Sequence, residues 1–261
     1  MPTLVANGLT QKQFDHLRVL GPNSGVMVDP THAKSHSSVA RALDTSRSSK
    51  WRKMLSRWDL YTQHKTQKIK RRVRKGVPDQ DRRSVWNTLA NIGSFLSEYP
   101  GLYAKLVAAS PAAMVEREDK MGEGDGSRFS RHTATGALLT TAQLDVEQDL
   151  YRTFPEHAAF ERGTPKGRRT IGALRRVLYA YAAFDPELGY CQSLNFLAGT
   201  FLLYVPEEEC FWHLVSLMQR SDSPLRGLFL RGMAEMQQIQ RCLDSLVEIH
   251  LPKLSSHMKV R

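Results

Sequence analysis

Apolar residues recur at three- and four-residue steps along most of the chain, and no stretch alternates apolar with polar over the length of a strand. The first stripe is Trp51, Leu55, Trp58 and Tyr61, which predicts a helix over 50–72 with a basic opposite face. Residues 76–100, GVPDQDRRSVWNTLANIGSFLSEYP, place Val85, Leu89, Ile92 and Leu96 on one face. Gly76 and Pro78 break the chain ahead of that helix, Asp79 can cap it, Asp81 suits its first turn, and Pro100-Gly101 ends it. Further helices are predicted near 102–107, over 141–153, and over 170–184 with Ile171, Leu174, Leu178 and Tyr181 inward. The stretch 190–204 is apolar nearly all round, which predicts the buried centre of the fold. Pro206 and the acids Glu207, Glu208 and Glu209 open the next helix, with Phe211, Val215 and Met218 inward. A last helix is expected over 231–249, with Met233, Met236, Ile239, Leu243 and Val247 on its apolar face. Pro252 interrupts it ahead of a short helical tail. The pattern predicts an all-α fold with no β-sheet and no repeat of solenoid period.

Two stretches break the pattern. Residues 1–46 are rich in Ser, Thr, Asn, Gly and Ala and are expected to be mostly disordered. Residues 109–138, ASPAAMVEREDKMGEGDGSRFSRHTATGAL, read as a flexible insertion. The MGEGDG run there is too short and too far from a strand for a phosphate-binding loop. The expected organisation is a terminal segment 1–46, a basic lead-in helix 47–75, and a helical domain 76–261 that contains the insertion.

The hydrophobic fraction of 41% is enough for a core. The longest apolar run, LNFLAGTFLLYV at 194–205, is about half the length that crosses a bilayer. The opening MPTLVANGLTQKQ lacks the basic start and apolar run of a signal peptide. Cys191, Cys210 and Cys242 are spaced too widely for a zinc motif and lie in apolar helical segments, so buried free thiols in a reducing, cytosolic setting are expected. No metal or cofactor site is visible. The net charge of +11 is concentrated: residues 47–83 hold fourteen Lys or Arg against three Asp, which accounts for all of it. A segment of that kind can touch acidic lipid headgroups, RNA or an acidic protein. It can also be a solvated basic helix leading into the domain. Nucleic acid ranks last, because the segment has charge and two tryptophans but no recognised motif.

Two polar groups stand out against the apolar pattern. In VEQDLYRTFPEHAAF, residues 146–160, Arg152 follows Asp149 by three residues on a helix whose other face is Val146, Leu150 and Phe154. In GYCQSLNFLAG, Gln192 opens the most apolar stretch of the chain. An arginine and a glutamine make no acid–base pair, since neither titrates usefully near neutrality. They do stabilise charge and orient water, the two things a slow GTPase lacks.

Three blocks in order resemble the TBC-domain family, the GTPase-activating proteins for Rab GTPases. RKGVPDQDRRSVWNTLANI resembles the first, with Arg-x-x-x-Trp at Arg82 and Trp86. VEQDLYRTFPEHAAF resembles the second, Ile-x-x-Asp-x-x-Arg, with Val146 for Ile, then Asp149 and Arg152. GYCQSLNFLA resembles the third, Tyr-x-Gln, at Tyr190 and Gln192, with Asn195 following. The likeness covers about 73–250, the first of the family's two all-α lobes. The second would follow the helix at 231–249, and this sequence runs to SSHMKVR instead.

The resemblance implies a GTPase activator acting in vesicle trafficking through two fingers. Arg152 would neutralise charge on the γ-phosphate, and Gln192 would position the water. Asp149 would hold the guanidinium by a charge-assisted hydrogen bond, and Tyr190 would shape the finger loop. Arg82 and Trp86 would act as supports, Trp86 as core filler and Arg82 on an acid or carbonyl, with ordinary packing as the alternative for both. GTP and Mg²⁺ would be held by the Rab-type partner. The family usually has Gln-Gly-Met-Asn where this chain has Gln-Ser-Leu-Asn, and Ser193 is expected to need only a little more room than glycine. The other reading, which the absent second lobe favours, is a non-catalytic module that binds a GTPase or adaptor with the same lobe, or an inactive fragment. The expected location is cytoplasmic, with the basic segment as a peripheral contact to acidic endomembranes.

Overall fold

The computed structural model describes residues 37–111, 139–219, 225–230 and 232–259. The expectations for 1–36 and for nearly all of the insertion lie outside the described residues. The chain divides into two compact units, Met1–Asp81 and Arg82–Arg261. Among the described residues every regular element is helical and none is a strand.

The first unit holds α1 (Ser37–Leu55), α2 (Trp58–His64), α3 (Thr66–Arg74) and a 3-10 turn at Asp79–Asp81. The helix expected over 50–72 is therefore three helices, broken at Arg57 and Lys65, whose φ values of −136° and −138° leave the helical region. The first of the three begins at Ser37, inside the stretch expected to be mostly disordered. A single long helix with one apolar stripe has nothing to bury that stripe against. Breaking it twice folds the stripe back on itself, so Trp51 and Met54 become fully buried and Tyr61 and Ile69 nearly so. The Trp51 indole N–H donates to the Gly76 carbonyl at 3.4 Å, and the buried Ser48 hydroxyl donates to Asp81.

The second unit runs α4 (Arg82–Leu89), α5 (Ile92–Glu98), α6 (Leu102–Ala109), α7 (Thr141–Leu150), α8 (Pro165–Phe184), α9 (Leu194–Leu202), α10 (Glu207–Gln219), α11 (Leu225–Phe229), α12 (Ala234–His250) and α13 (Pro252–Lys259). The helix expected across 76–100 bends at Asn91, which sits at φ 52° between α4 and α5. α8 starts cleanly: Thr164 accepts from the Gly167 N–H at 3.0 Å and Pro165 fills the first turn.

The centre of the core is α8 and not α9. α8 packs against α6, α7, α9 and α10 and buries ten residues, whereas α9 buries four and leaves Phe196 40% exposed. An all-round apolar composition misled here because α9 lies at the edge of the bundle. The apolar face expected inward on α12 is also open, with Met236, Ile239 and Leu243 exposed at 42, 48 and 57%. Its main neighbours are only α11 and α13. Of the three thiols, all free, Cys210 alone is buried; Cys191 is half-buried in a turn and Cys242 is exposed on α12. No helix among the described residues is long and apolar enough to cross a membrane.

One ionic contact crosses the core. Arg175 of α8 holds Glu147 of α7 with two hydrogen bonds of 2.6 and 3.0 Å, and Tyr179 adds a third of 2.8 Å. Both charged side chains are essentially sealed from solvent, at 1 and 0% exposure. Removing one partner leaves the other's charge buried alone, so Arg175→Met is expected to cost about 3–5 kcal/mol in urea unfolding. Glu147→Leu with Arg175→Met should recover most of that. A loss in the double variant equal to the sum of the two single losses would show the pair is not coupled.

His213 gives the second unit a pH dependence. Its Nε2 lies 2.8 Å from the Asn87 side-chain oxygen and its ring stacks on Phe201 at 4.8 Å. Burial holds its pKa down to about 4, from the usual 6.5. The unfolded chain therefore takes up a proton that the folded chain refuses, and stability falls as pH drops from about 6.5 to about 4. His213→Gln is expected to flatten that part of a thermal-melt series against pH. An unchanged slope would place the acid sensitivity elsewhere.

Candidate functional site

The two candidate side chains sit on separate turns of the second unit. α7 opens with a capping box: the Gln143 N–H donates to Thr140 Oγ1 at 3.3 Å, and the Thr140 N–H donates to Gln143 Oε1 at 2.9 Å. It closes at Leu150, three residues short of the expected end. The Asp149 carbonyl takes the Arg152 N–H at 3.1 Å and the Thr153 hydroxyl at 2.9 Å, and Phe154 turns left-handed at φ 46° ahead of Pro155. Arg152 is thus carried on the turn, and its side chain is 72% exposed.

Gln192 precedes α9 rather than opening it. Ser193 adopts φ 86° and the helix begins at Leu194, so Tyr190, Cys191, Gln192 and Ser193 form the turn, with Gln192 exposed. The cost at Ser193 is one of backbone conformation, since φ 86° is where glycine sits freely and a side chain does not.

Hydrogen bonds tie the two turns together. The Tyr190 hydroxyl donates to Asp149 Oδ2 at 2.8 Å, and Asn195 Nδ2 donates to Thr153 Oγ1 at 2.8 Å. Asp149, Thr153 and Asn195 are all buried. Burial and the Asp149 carboxylate push the Tyr190 phenol well up, which keeps it a donor. The expected charge-assisted hydrogen bond from Arg152 to Asp149 is replaced by a looser ion pair of 3.8 Å. The carboxylate is anchored by Tyr190 while the guanidinium stays turned to solvent.

Gly199 of α9 lets the Arg152 turn come close. A Cβ there would stand 2.8 Å from Thr153 Cγ2 and 3.1 Å from a Phe154 ring carbon. The Phe154 ring then packs on Phe160 and Phe196, at 5.7 and 5.5 Å. Arg82 and Trp86 lie at the other end of α9. Trp86 packs edge-on to Phe201 and Tyr204, and Arg82 donates to the Tyr204 hydroxyl with its guanidinium 4.5 Å from that ring. Thr153, Gly199, Phe196, Glu147 and Arg175 carry the geometry without having been singled out in the sequence. The signal for Arg175 was available: with Tyr179 it falls at a four-residue step among the inward Ile171, Leu174 and Leu178.

The arrangement has no activated nucleophile, since burial raises the only nearby thiol, Cys191. Among the described residues no group of acids, thiols and imidazoles is placed to hold a metal. What it presents is a solvent-facing guanidinium and an amide on two braced turns, suited to an anion and a water supplied from outside. Gly199→Ala is expected to lower stability by about 1–3 kcal/mol through overpacking, despite the better helix propensity of alanine. Urea unfolding measures it, and a neutral or stabilising result would mean the Arg152 turn yields freely.

Comparison with known proteins gives the family and the fold. The family model of the Rab-GTPase-TBC domain matches residues 79–261. GTPase-activating protein GYP3 of Saccharomyces cerevisiae is 31% identical over 198 residues, which is 75% of this chain and 28% of that protein. The crystal structure of the Chlamydomonas flagellar RabGAP TBC domain superposes with a TM-score of 0.53 at 24% identity, covering 90% of this chain and 66% of that one. The chain spans less than two thirds of the length of each. With the helical fold and the family model in agreement over most of its length, the chain belongs to the Rab-GTPase-TBC domain family.

Proposed function

We propose that the chain accelerates GTP hydrolysis by a Rab-type small GTPase, with Arg152 and Gln192 entering the partner's nucleotide site. The observation that carries this is the pairing of two exposed side chains, a guanidinium and an amide, on turns locked by the Asp149–Tyr190 and Thr153–Asn195 hydrogen bonds. Arg152 would meet the charge that develops on the transferring phosphoryl group. Gln192 would accept from, and so aim, the attacking water. Nucleotide and Mg²⁺ would belong to the GTPase. A braced arginine is the useful kind, because ordering a loose one at the moment of reaction would consume part of its effect. The half-exposed Phe196, packed on Phe154, offers the partner an apolar contact beside the arginine turn. This action takes place at the cytosolic face of endomembranes, where the basic segment 47–83 makes a peripheral contact with acidic lipid.

Single-turnover GTP hydrolysis across a panel of Rab proteins tests the reading. Arg152→Ala is expected to reduce stimulation by roughly 10³-fold or more, with Gln192→Ala also strongly impaired and both variants melting like the unmutated chain. Stimulation that survives Arg152→Ala would sink the finger mechanism. A folded chain that binds a GTPase without stimulating it would leave the non-catalytic binding module in its place.

A further inference from the structure

The first unit contains a cavity of about 390 Å³ with a cationic wall. Arg47 and Lys50 of α1 line it together with Lys68, Arg71 and Arg72 of α3 and Lys75 just beyond. Positions 68, 71, 72 and 75 are one face of a helix, spaced as an apolar stripe is spaced when it packs on a neighbour. Here the face carries four charges and borders a hollow. Ser46, Trp51 and Gly76 complete the lining, with Trp51 fully buried and the Arg72 guanidinium 6.0 Å from its ring.

Like charges three and four residues apart on a helix repel one another. Arg47 has Asp44 at 3.6 Å, but Lys50, Lys68, Arg71, Arg72 and Lys75 form no ion pair with a described residue. The helix dipole favours the basic residues in the last turn of α3, Arg71 and Arg72 among them. It does not account for Arg47 and Lys50, which reach the same hollow from a different helix. Two independent elements thus converge positive charge on one concavity, and among the described residues only Arg47 of the lining cations has an acid paired to it.

We propose that this cavity binds a compact polyphosphate, with phosphate monoesters crowded on a small ring as in the headgroup of a phosphorylated inositol lipid. The volume falls in the range of small-molecule sites, about 300–1,000 Å³. Arginine forks take phosphate oxygens two at a time and lysines supply mobile point charges. A single-stranded nucleic acid is poorly served, because it needs open aromatic faces for its bases and Trp51 is sealed. The proposal gives the membrane contact suggested above a defined site, and it is independent of the chemistry at Arg152 and Gln192.

Calorimetric titration of the full chain with inositol trisphosphate is the first measurement, with inorganic phosphate as the weak comparison. Flotation with phosphatidylcholine vesicles carrying a few mole per cent of phosphatidylinositol bisphosphate is the second, against vesicles matched in charge with phosphatidylserine. Saturable binding to the free trisphosphate is expected. Preference for the bisphosphate vesicles assigns the lipid as the source, and its absence assigns a soluble polyphosphate to the same cavity. Lys68→Gln with Arg71→Gln should weaken binding roughly tenfold or more. Lys70→Gln with Arg74→Gln, which removes equal charge from the same helix outside the cavity, should stay within about twofold. If the first pair unfolds in circular dichroism, Lys50→Gln with Lys75→Gln replaces it. No saturable binding, equal losses in both pairs, or equal competition by a single-stranded RNA of the same charge would overturn the proposal. These readouts are of binding alone, so their failure leaves the GTPase reading untouched.

Discussion

The Glu147–Arg175 pair is the constraint from which the rest of the second unit is set. Apolar helix faces tolerate a slip of one turn, because one leucine replaces another. A bidentate ion pair shielded from solvent does not, since any slip leaves two charges in a low-dielectric core with no partner. Tyr179, one turn along α8, donates to Glu147 Oε1, the oxygen that also accepts from Arg175 Nε, and narrows the register again. The consequence reaches the surface. Once Glu147 is pinned, Asp149 and the last turn of α7 are fixed on the central helix, and Arg152 must emerge where that turn ends.

A second set of contacts converts that register into a relation between two side chains. Asp149 and Thr153 come from the arginine turn, while Tyr190 and Asn195 flank Gln192, and each pair shares a hydrogen bond. Gly199 lacks a Cβ that would push the arginine turn away from α9. The buried groups in this network bind one another, and none of the hydrogen bonds takes up the Arg152 guanidinium or the Gln192 amide. The division of labour is between side chains that bond within the protein, where Asn195 Oδ1 is the one network atom without a partner, and side chains left for something outside it. Had Arg152 formed a close bidentate pair with Asp149, a partner would have to break it; the 3.8 Å separation leaves that cost small.

Part of the candidate site's geometry was legible because Asp149 and Tyr190, which stand at motif spacings beside Arg152 and Gln192, share a hydrogen bond in the fold. The all-α fold was legible from periodicity alone. What periodicity did not reveal is which helix is central. α9 is richer in apolar residues than α8, yet α8 is the buried one, and its polar members Arg175 and Tyr179 face α7. Apolar content measures what a helix can bury and says nothing about how many neighbours surround it. The same limit explains α12, whose regular stripe predicted burial while its side chains remain exposed. It also explains why the helix expected over 50–72 breaks twice: periodicity continues through Arg57 and Lys65, while the backbone there turns to close the stripe on itself. The cationic cavity between α1 and α3 depends on that closure, because one uninterrupted helix would have carried its charges apart.

The backbone at the two candidate turns adds a separate argument. Four non-glycine residues among those described have positive φ: Asn91, Phe154, Ser193 and Met233. Asparagine visits that region at little cost, but phenylalanine and serine do not. Phe154 follows Arg152 by two residues and Ser193 follows Gln192 directly. Strained backbone persists only where surrounding contacts over-determine it, and here those contacts can be named. The Phe154 ring packs on Phe160 and Phe196, Gly199 opens the space it needs, and Ser193 is held between the Tyr190 anchor and the start of α9. A glycine at 193 would relieve the strain but would let the Gln192 turn sample more conformations before any partner arrived. Serine there carries the cost in the folded chain and restricts that freedom, which is the direction preorganisation requires.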